Sequence, residues 1–180
     1  YDGSPLGKFD ISGRDAEAFI NLLYTNDFND LELNTGRYGI MLSEDGMILD
    51  DGVTFKLGKN HYLMSTSTGF ADVVFRHMEY IRQVQCLNWQ VWITPVTSQW
   101  CNATICGPKA RDLLNALDVS VDISAEAFPF MTMREATVAM LPSRICRVSF
   151  TGEVSFEINV WSRHAEALWN QIIKTGSEFD

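Results

Sequence analysis

"GRDAEAFINLL" (residues 13–23) and "GPKARDLLNAL" (residues 107–117) decide the reading of this chain, because they look like two copies of one segment. In the first, Gly13 ends a strand-like stretch. Ala16, Phe19, Ile20 and Leu23 then recur at the spacing that puts apolar side chains on one face of a helix. The second keeps the glycine, the alanine and the apolar rhythm, with Pro108 suited to the first turn of its helix. Each follows a strand pattern. In "LGKFDISG", Phe9 and Ile11 alternate with Lys8, Asp10 and Ser12, and "WCNATICG" runs into Gly107.

Downstream of each copy the order repeats. After the Asn- and Asp-rich loop "TNDFNDLELNTG" come three strand candidates, "RYGIML", "MILDDGVTFKL" and "HYLMSTST". Their short connectors, "SEDG" and "GKN", predict an antiparallel meander. "GFADVVFRHMEYIRQVQ" closes this half as an amphipathic helix, with Val73, Val74, His77, Ile81 and Val84 along one face. The second half offers the strands "MTMREATVAML", "RICRVSF" and "EVSFEINVW". Its closing helix is "SRHAEALWNQIIKTG", with Ser162 as the expected N-cap. The fold class is therefore α+β: one domain over 1–180, made of two related strand–helix–three-strand–helix halves with antiparallel sheets, about 1–86 and 87–176.

Composition narrows the partners. With 180 residues and 46% hydrophobic content there is ample material for a core, while the formal net charge is −9. No basic stripe is visible, which argues against nucleic acid and against an anionic membrane surface. Cys86, Cys101, Cys106 and Cys146 form no CxxC pair, and His61, His77 and His164 stand far apart, so no metal site is expected. Reduced, mostly core cysteines and a cytoplasmic location follow from that pattern. The chain opens without Met on the turn-like "YDGSPLGKF" and closes just after an apparent helix, so a piece of a longer protein is expected. No GxGxxG fingerprint, phosphate loop or GxSxG elbow is present.

The chemistry-bearing candidates begin with Asp50 and Asp51. Aspartate is depleted in strands and neighbouring strand residues face opposite ways, so one of the pair faces inward, where a charge needs a partner or a task. Either that carboxylate serves an amine-bearing substrate, or both are half-exposed strand-end residues without a role. Glu157, between Phe156 and Ile158, is similarly placed, although alternation puts it on the polar face of Ser155 and Glu153. Ser65, Thr66, Ser67 and Thr68 form a hydroxyl run at a strand-to-helix junction, fit to bind a ligand or to cap the helix. Tyr38 precedes the Asp pair and suits either a flat ring or ordinary cross-strand packing.

Taken in order, "YDGSPLGKFDISGRDAEAFI", "TNDF", "RYGIM", "EDGMILDDGVTF", "CGPKARDLL" and "RVSFTGEVSFEI" resemble the folate-binding aminomethyltransferase family, the T-protein of the glycine cleavage system and its relatives. The "STSTG" run and the wording around "LDDGV" are most similar to the C-terminal region of the sarcosine oxidase α subunit. The resemblance implies a tetrahydrofolate site and the fold of the T-protein folate-binding domain. It implies Asp51 as the catalytic carboxylate near N10 of the folate, with Asp50 as secondary candidate. It places Glu157 on the pterin ring, and Tyr38, Phe150, Leu6 and Thr66 around the pocket. Phe150 stands where the family usually has Tyr, and Leu6 where it often has Met. The implied activity captures the methylene unit of oxidised sarcosine as 5,10-methylenetetrahydrofolate. The alternative is a non-catalytic folate-binding or subunit-interaction module. The resemblance further implies other sarcosine oxidase subunits as partners, with FAD, FMN and NAD bound only in parts of the full enzyme outside these residues. The family's later "GLGARD"-type segment and C-terminal barrel are likewise not among them.

Overall fold

Gly13 (φ +123°) and Gly107 (φ +118°) each turn the chain out of a strand in a conformation that side chains rarely adopt. Three residues later the helix begins. Ala16 N donates to Gly13 O at 3.0 Å, and Ala110 N donates to Gly107 O at 3.1 Å. The repeat seen in the sequence is thus one turn built twice.

The structure, a computed structural model, describes residues 1–179. It divides into two units, Pro5–Thr97 and a second comprising Tyr1–Ser4 with the residues from Ser98 onward. The first unit runs β1 (Gly7–Ser12), α1 (Ala16–Leu23), β2 (Gly36–Leu42), β3 (Ile48–Gly58), β4 (His61–Thr66), α2 (Ala71–Val84) and β5 (Trp92–Pro95). The second runs β6 (Trp100–Cys106), α3 (Ala110–Ala116), β7 (Thr132–Val138), β8 (Leu141–Arg147), β9 (Ser155–Trp161) and α4 (Ala165–Gly176). The sheets are ordered β2-β3-β4-β1-β5 and β7-β8-β9-β6, with every pairing antiparallel. Strand for strand, the first four of one sheet match the four of the other. The expected α+β fold and the β2-β3-β4 meander are therefore present.

Each unit has its own core. Phe9 and Ile11 alternate inward from β1 to meet Phe19 and Ile20 of α1 and Val74 and Met78 of α2. In the second unit Ile105, Leu114, Ile145, Phe156, Ile158 and Leu168 do the same. Full burial of each such side chain contributes about 1.5–3 kcal/mol.

Several local expectations are corrected. β5 has no forerunner in the sequence reading, since a four-residue, largely exposed strand ending in Pro95 carries no alternation to detect. It adds to the outer side of β1, so the change-over between units falls at Thr97/Ser98, later than the 86/87 drawn from the repeat. Pro108 lies in the turn ahead of α3, whose N-cap is Lys109, because the Gly107 turn delays the first helical residue to Ala110. Ser162 is not the cap of α4. It opens a short 3-10 turn, its hydroxyl donates to Ser98 O at 2.6 Å, and His164 takes the N-cap position. On α2 the buried stripe is Val74, Met78 and Ile81, while Val84 is exposed beyond the last turn that the sheet covers. The strand read through "RICRVSF" stops at Arg147, leaving Phe150 in the following loop. Of the cysteines, Cys86 and Cys146 are buried, Cys101 is intermediate and Cys106 exposed.

Candidate functional site

Register decides which aspartate of the pair faces inward. On β3, Asp50 lies opposite Met41, a fully buried core residue, and Asp51 lies opposite Ile40. Asp50 therefore shares the helix-facing side of the sheet and is 6% exposed. Its carboxylate accepts a hydrogen bond from the Ser67 backbone N–H at 3.1 Å, at the junction between β4 and α2. Asp50 is thus the inward member of the pair, and its carboxylate satisfies a backbone donor where β4 ends.

Asp51 projects from the opposite face and is exposed. Tyr38, diagonally across on β2 and also exposed, donates its phenolic hydrogen to Asp51 Oδ2 at 2.8 Å. That bond holds the Tyr38 phenol above its ordinary range, because losing the proton would set two negative charges side by side. The result is an oriented, solvent-accessible carboxylate on β3. Beside it, Ser65 uses its hydroxyl to bridge Val53, accepting from the amide at 3.0 Å and donating to the carbonyl at 2.9 Å. The hydroxyl run supplies no helix cap here. Ser67 makes no side-chain capping bond, and Thr66 is 2% exposed, with its Oγ1 lacking a hydrogen-bond partner among the described residues. Leu6 is half-buried, and its carbonyl accepts from Lys8 Nζ at 2.9 Å.

In the second unit, Glu157 stands on the sheet face opposite the helices, as alternation required. It pairs with Thr104 of β6 and with Cys146 of β8. That face is polar and its members are buried: Asn102, Thr104, Ser155 and Asn159 are each at most 6% exposed. Asn102 Nδ2 donates to Glu157 Oε2 at 2.9 Å, and Thr104 Oγ1 donates to Asn102 Oδ1 at 3.0 Å. The neighbouring Cys146 thiol is pushed well up, by burial first and then by the Glu157 charge. Burial likewise raises the Tyr1 phenol, and Glu157 adds to the effect. Asn102 and Thr104 escaped the sequence reading, because "WCNATICG" reads as a plain strand. A buried-face asparagine within it was the available signal.

The structure thus brings Asp51 to Tyr38, and Glu157 to two residues not foreseen. Phe150 is 94% exposed, in the loop after β8. A hollow of about 440 Å³ between α1, α2 and the β2–β3 hairpin is lined by Leu22, Leu49, Val73, His77 and Tyr80, and contains none of the candidate residues.

The family model described as the GCVT N-terminal domain matches residues 1–180. The chain is 40% identical to sarcosine oxidase subunit alpha of Corynebacterium sp. (strain U-96), covering 99% of this chain and 19% of that protein. It is 32% identical to an aminomethyltransferase of Staphylococcus haemolyticus (strain JCSC1435), covering 97% of this chain and 46% of that one. It therefore spans less than half the length of these relatives. The glycine cleavage system aminomethyltransferase T of Bartonella henselae superposes with a TM-score of 0.81 at 22% identity, over 96% of this chain and 44% of that chain. Heterotetrameric sarcosine oxidase from Corynebacterium sp. U-96 in complex with pyrrole 2-carboxylate superposes with a TM-score of 0.70 at 15% identity, over 99% and 83% of the respective chains. Both superpositions concern the fold.

Proposed function

The chain belongs to the GCVT N-terminal domain family, and from that premise we propose that it serves tetrahydrofolate-dependent one-carbon transfer in a sarcosine-oxidase-like enzyme. The observation that carries this reading is Asp51, an exposed strand carboxylate oriented by the Tyr38 hydroxyl at 2.8 Å. Bound tetrahydrofolate would supply the two amines, N5 and N10, that take up a carbon at the formaldehyde level with loss of water. Asp51 would accept the proton that N10 gives up as the ring of 5,10-methylenetetrahydrofolate closes. Tyr38 keeps the carboxylate aimed. Glu157 is proposed to grip the donor edge of the pterin ring, which a carboxylate meets with two hydrogen bonds. Leu6 and Thr66 are carried as neighbours of the ligand and Asp50 as support for β3. Phe150, so exposed, would pack against ligand only after its loop moves. Tetrahydrofolate is thus the proposed cofactor, and other subunits of such an oxidase are the proposed partners.

The test uses the full-length protein, supplied with formaldehyde and tetrahydrofolate, and reads formation of 5,10-methylenetetrahydrofolate above the uncatalysed rate. Asp51→Ala is expected to lower the rate by about 100-fold or more, the usual weight of a general base. Tyr38→Phe is expected to lower it about fivefold, equivalent to about 1 kcal/mol for one partly exposed hydrogen bond to a charged group. If Asp51→Ala retained the full rate, the catalytic assignment would fail.

A further inference from the structure

Glu157 is held by a relay whose hydrogen-bond directions are forced. An ionised carboxylate only accepts, so the group 2.9 Å from Glu157 Oε2 has to be the amide nitrogen of Asn102. Asn102 Oδ1 then faces Thr104, and the Thr104 hydroxyl has to donate, which it does at 3.0 Å. Asn102 and Thr104 are 1% and 3% exposed, so water does not compete for these bonds. The backbone of Asn102 is fixed as well. Its N–H donates to Ser4 Oγ at 3.1 Å, and its carbonyl accepts from Gly3 N at 2.8 Å. Gly3 lies directly over the amide, where an added Cβ would come within 2.9 Å of Asn102 Cγ and Oδ1. An asparagine gripped on every side, with its one amide nitrogen turned to a carboxylate, is a device for setting the plane of that carboxylate.

We propose that Asn102, locked by Thr104 and Gly3, is a positioning residue for Glu157 and determines how tightly the protein recognises the pterin ring. The proposal rests on the folate reading above. A pterin edge presents parallel donors, and a carboxylate rotated out of their plane loses one of two bonds. Asn102 acts on affinity through Glu157 and takes no part in the proton transfer at Asp51.

The experiment measures the dissociation constant of tetrahydrofolate for the full-length protein in a double-mutant cycle of Asn102→Ala and Glu157→Gln. Each single substitution is expected to weaken binding about tenfold. The double variant is expected to be no more than about twofold weaker than Glu157→Gln alone, because the residues act as one unit. Thr104→Val, which keeps the shape and removes the donor, is expected to weaken binding about threefold, and this shift too should vanish on Glu157→Gln. Should Asn102→Ala fail to fold by thermal melting, Thr104→Val carries the cycle. Multiplying effects, or Asn102→Ala and Thr104→Val variants that bind like wild type, would overturn the proposal while leaving the folate reading intact. A wild-type protein that binds no tetrahydrofolate would overturn both.

Discussion

Gly52, the residue after the aspartate pair, leaves no room for a side chain. A Cβ there would lie 2.0 Å from the carbonyl oxygen of Ser65 on the adjoining strand. Gly52→Ala must push β3 from β4 and is expected to cost about 3 kcal/mol, the upper end of ordinary substitutions. Gly58→Ala on the same strand, whose Cβ would meet only His61 Cβ at 3.6 Å, is expected to stay within about 1 kcal/mol. Chemical denaturation of the two variants checks the difference. This scale was the least legible in the sequence. Alternation showed that Asp50 and Asp51 point opposite ways, but not which way, because the partner that draws Asp50 inward, Ser67 N–H, lies 17 residues further on. The same holds for Asn102, which meets Glu157 across 55 residues.

At the scale of elements, α1 is fastened to the sheet by one polar cluster. Glu17 of α1 accepts from Lys56 Nζ of β3 at 2.9 Å and from the Tyr62 hydroxyl of β4 at 2.7 Å. The Lys56 bond, with help from Tyr62 and against partial burial, holds the Glu17 carboxyl below its ordinary value. Burial and the Glu17 charge push the Tyr62 phenol up. A carboxyl lowered on folding stabilises the folded state above its unfolded value near 4.5, and that contribution is lost as pH falls through the lower folded value. Acid unfolding of wild type should therefore be steeper below about pH 4.5 than that of Glu17→Gln, with the two curves parallel at neutral pH. Identical acid limbs would show that this cluster does not fasten α1. Elements were also where sequence reading worked best. Helices and central strands declare themselves by local period, as in Phe9 and Ile11 on β1 or Phe19, Ile20 and Leu23 on α1. β5, the Ser162 turn and the end of β8 depend instead on tertiary contacts that no local period records.

For the whole molecule, the repeated strand order β2-β3-β4-β1 and β7-β8-β9-β6 gives two units of one design with different polar faces. The first presents an exposed carboxylate with a tyrosine, the second a part-buried glutamate held by an amide. Asp51, Tyr38 and Glu157 stood out in the sequence only as polar residues in apolar strands, and it was the family resemblance that chose Asp51 over Asp50 and gave each an expected role. The supports that orient them did not stand out, being unremarkable residues until the chain is folded. The folate reading requires a ligand that stabilises the folded protein. A saturating excess of about 100 times the dissociation constant should raise unfolding stability by about 2.7 kcal/mol. The most direct measurement is a calorimetric titration of the full-length protein with tetrahydrofolate. Saturable binding at one site per chain, weakened about tenfold by Glu157→Gln, is the expected result. Absence of binding heat up to millimolar ligand, with no shift in the thermal midpoint, would contradict it.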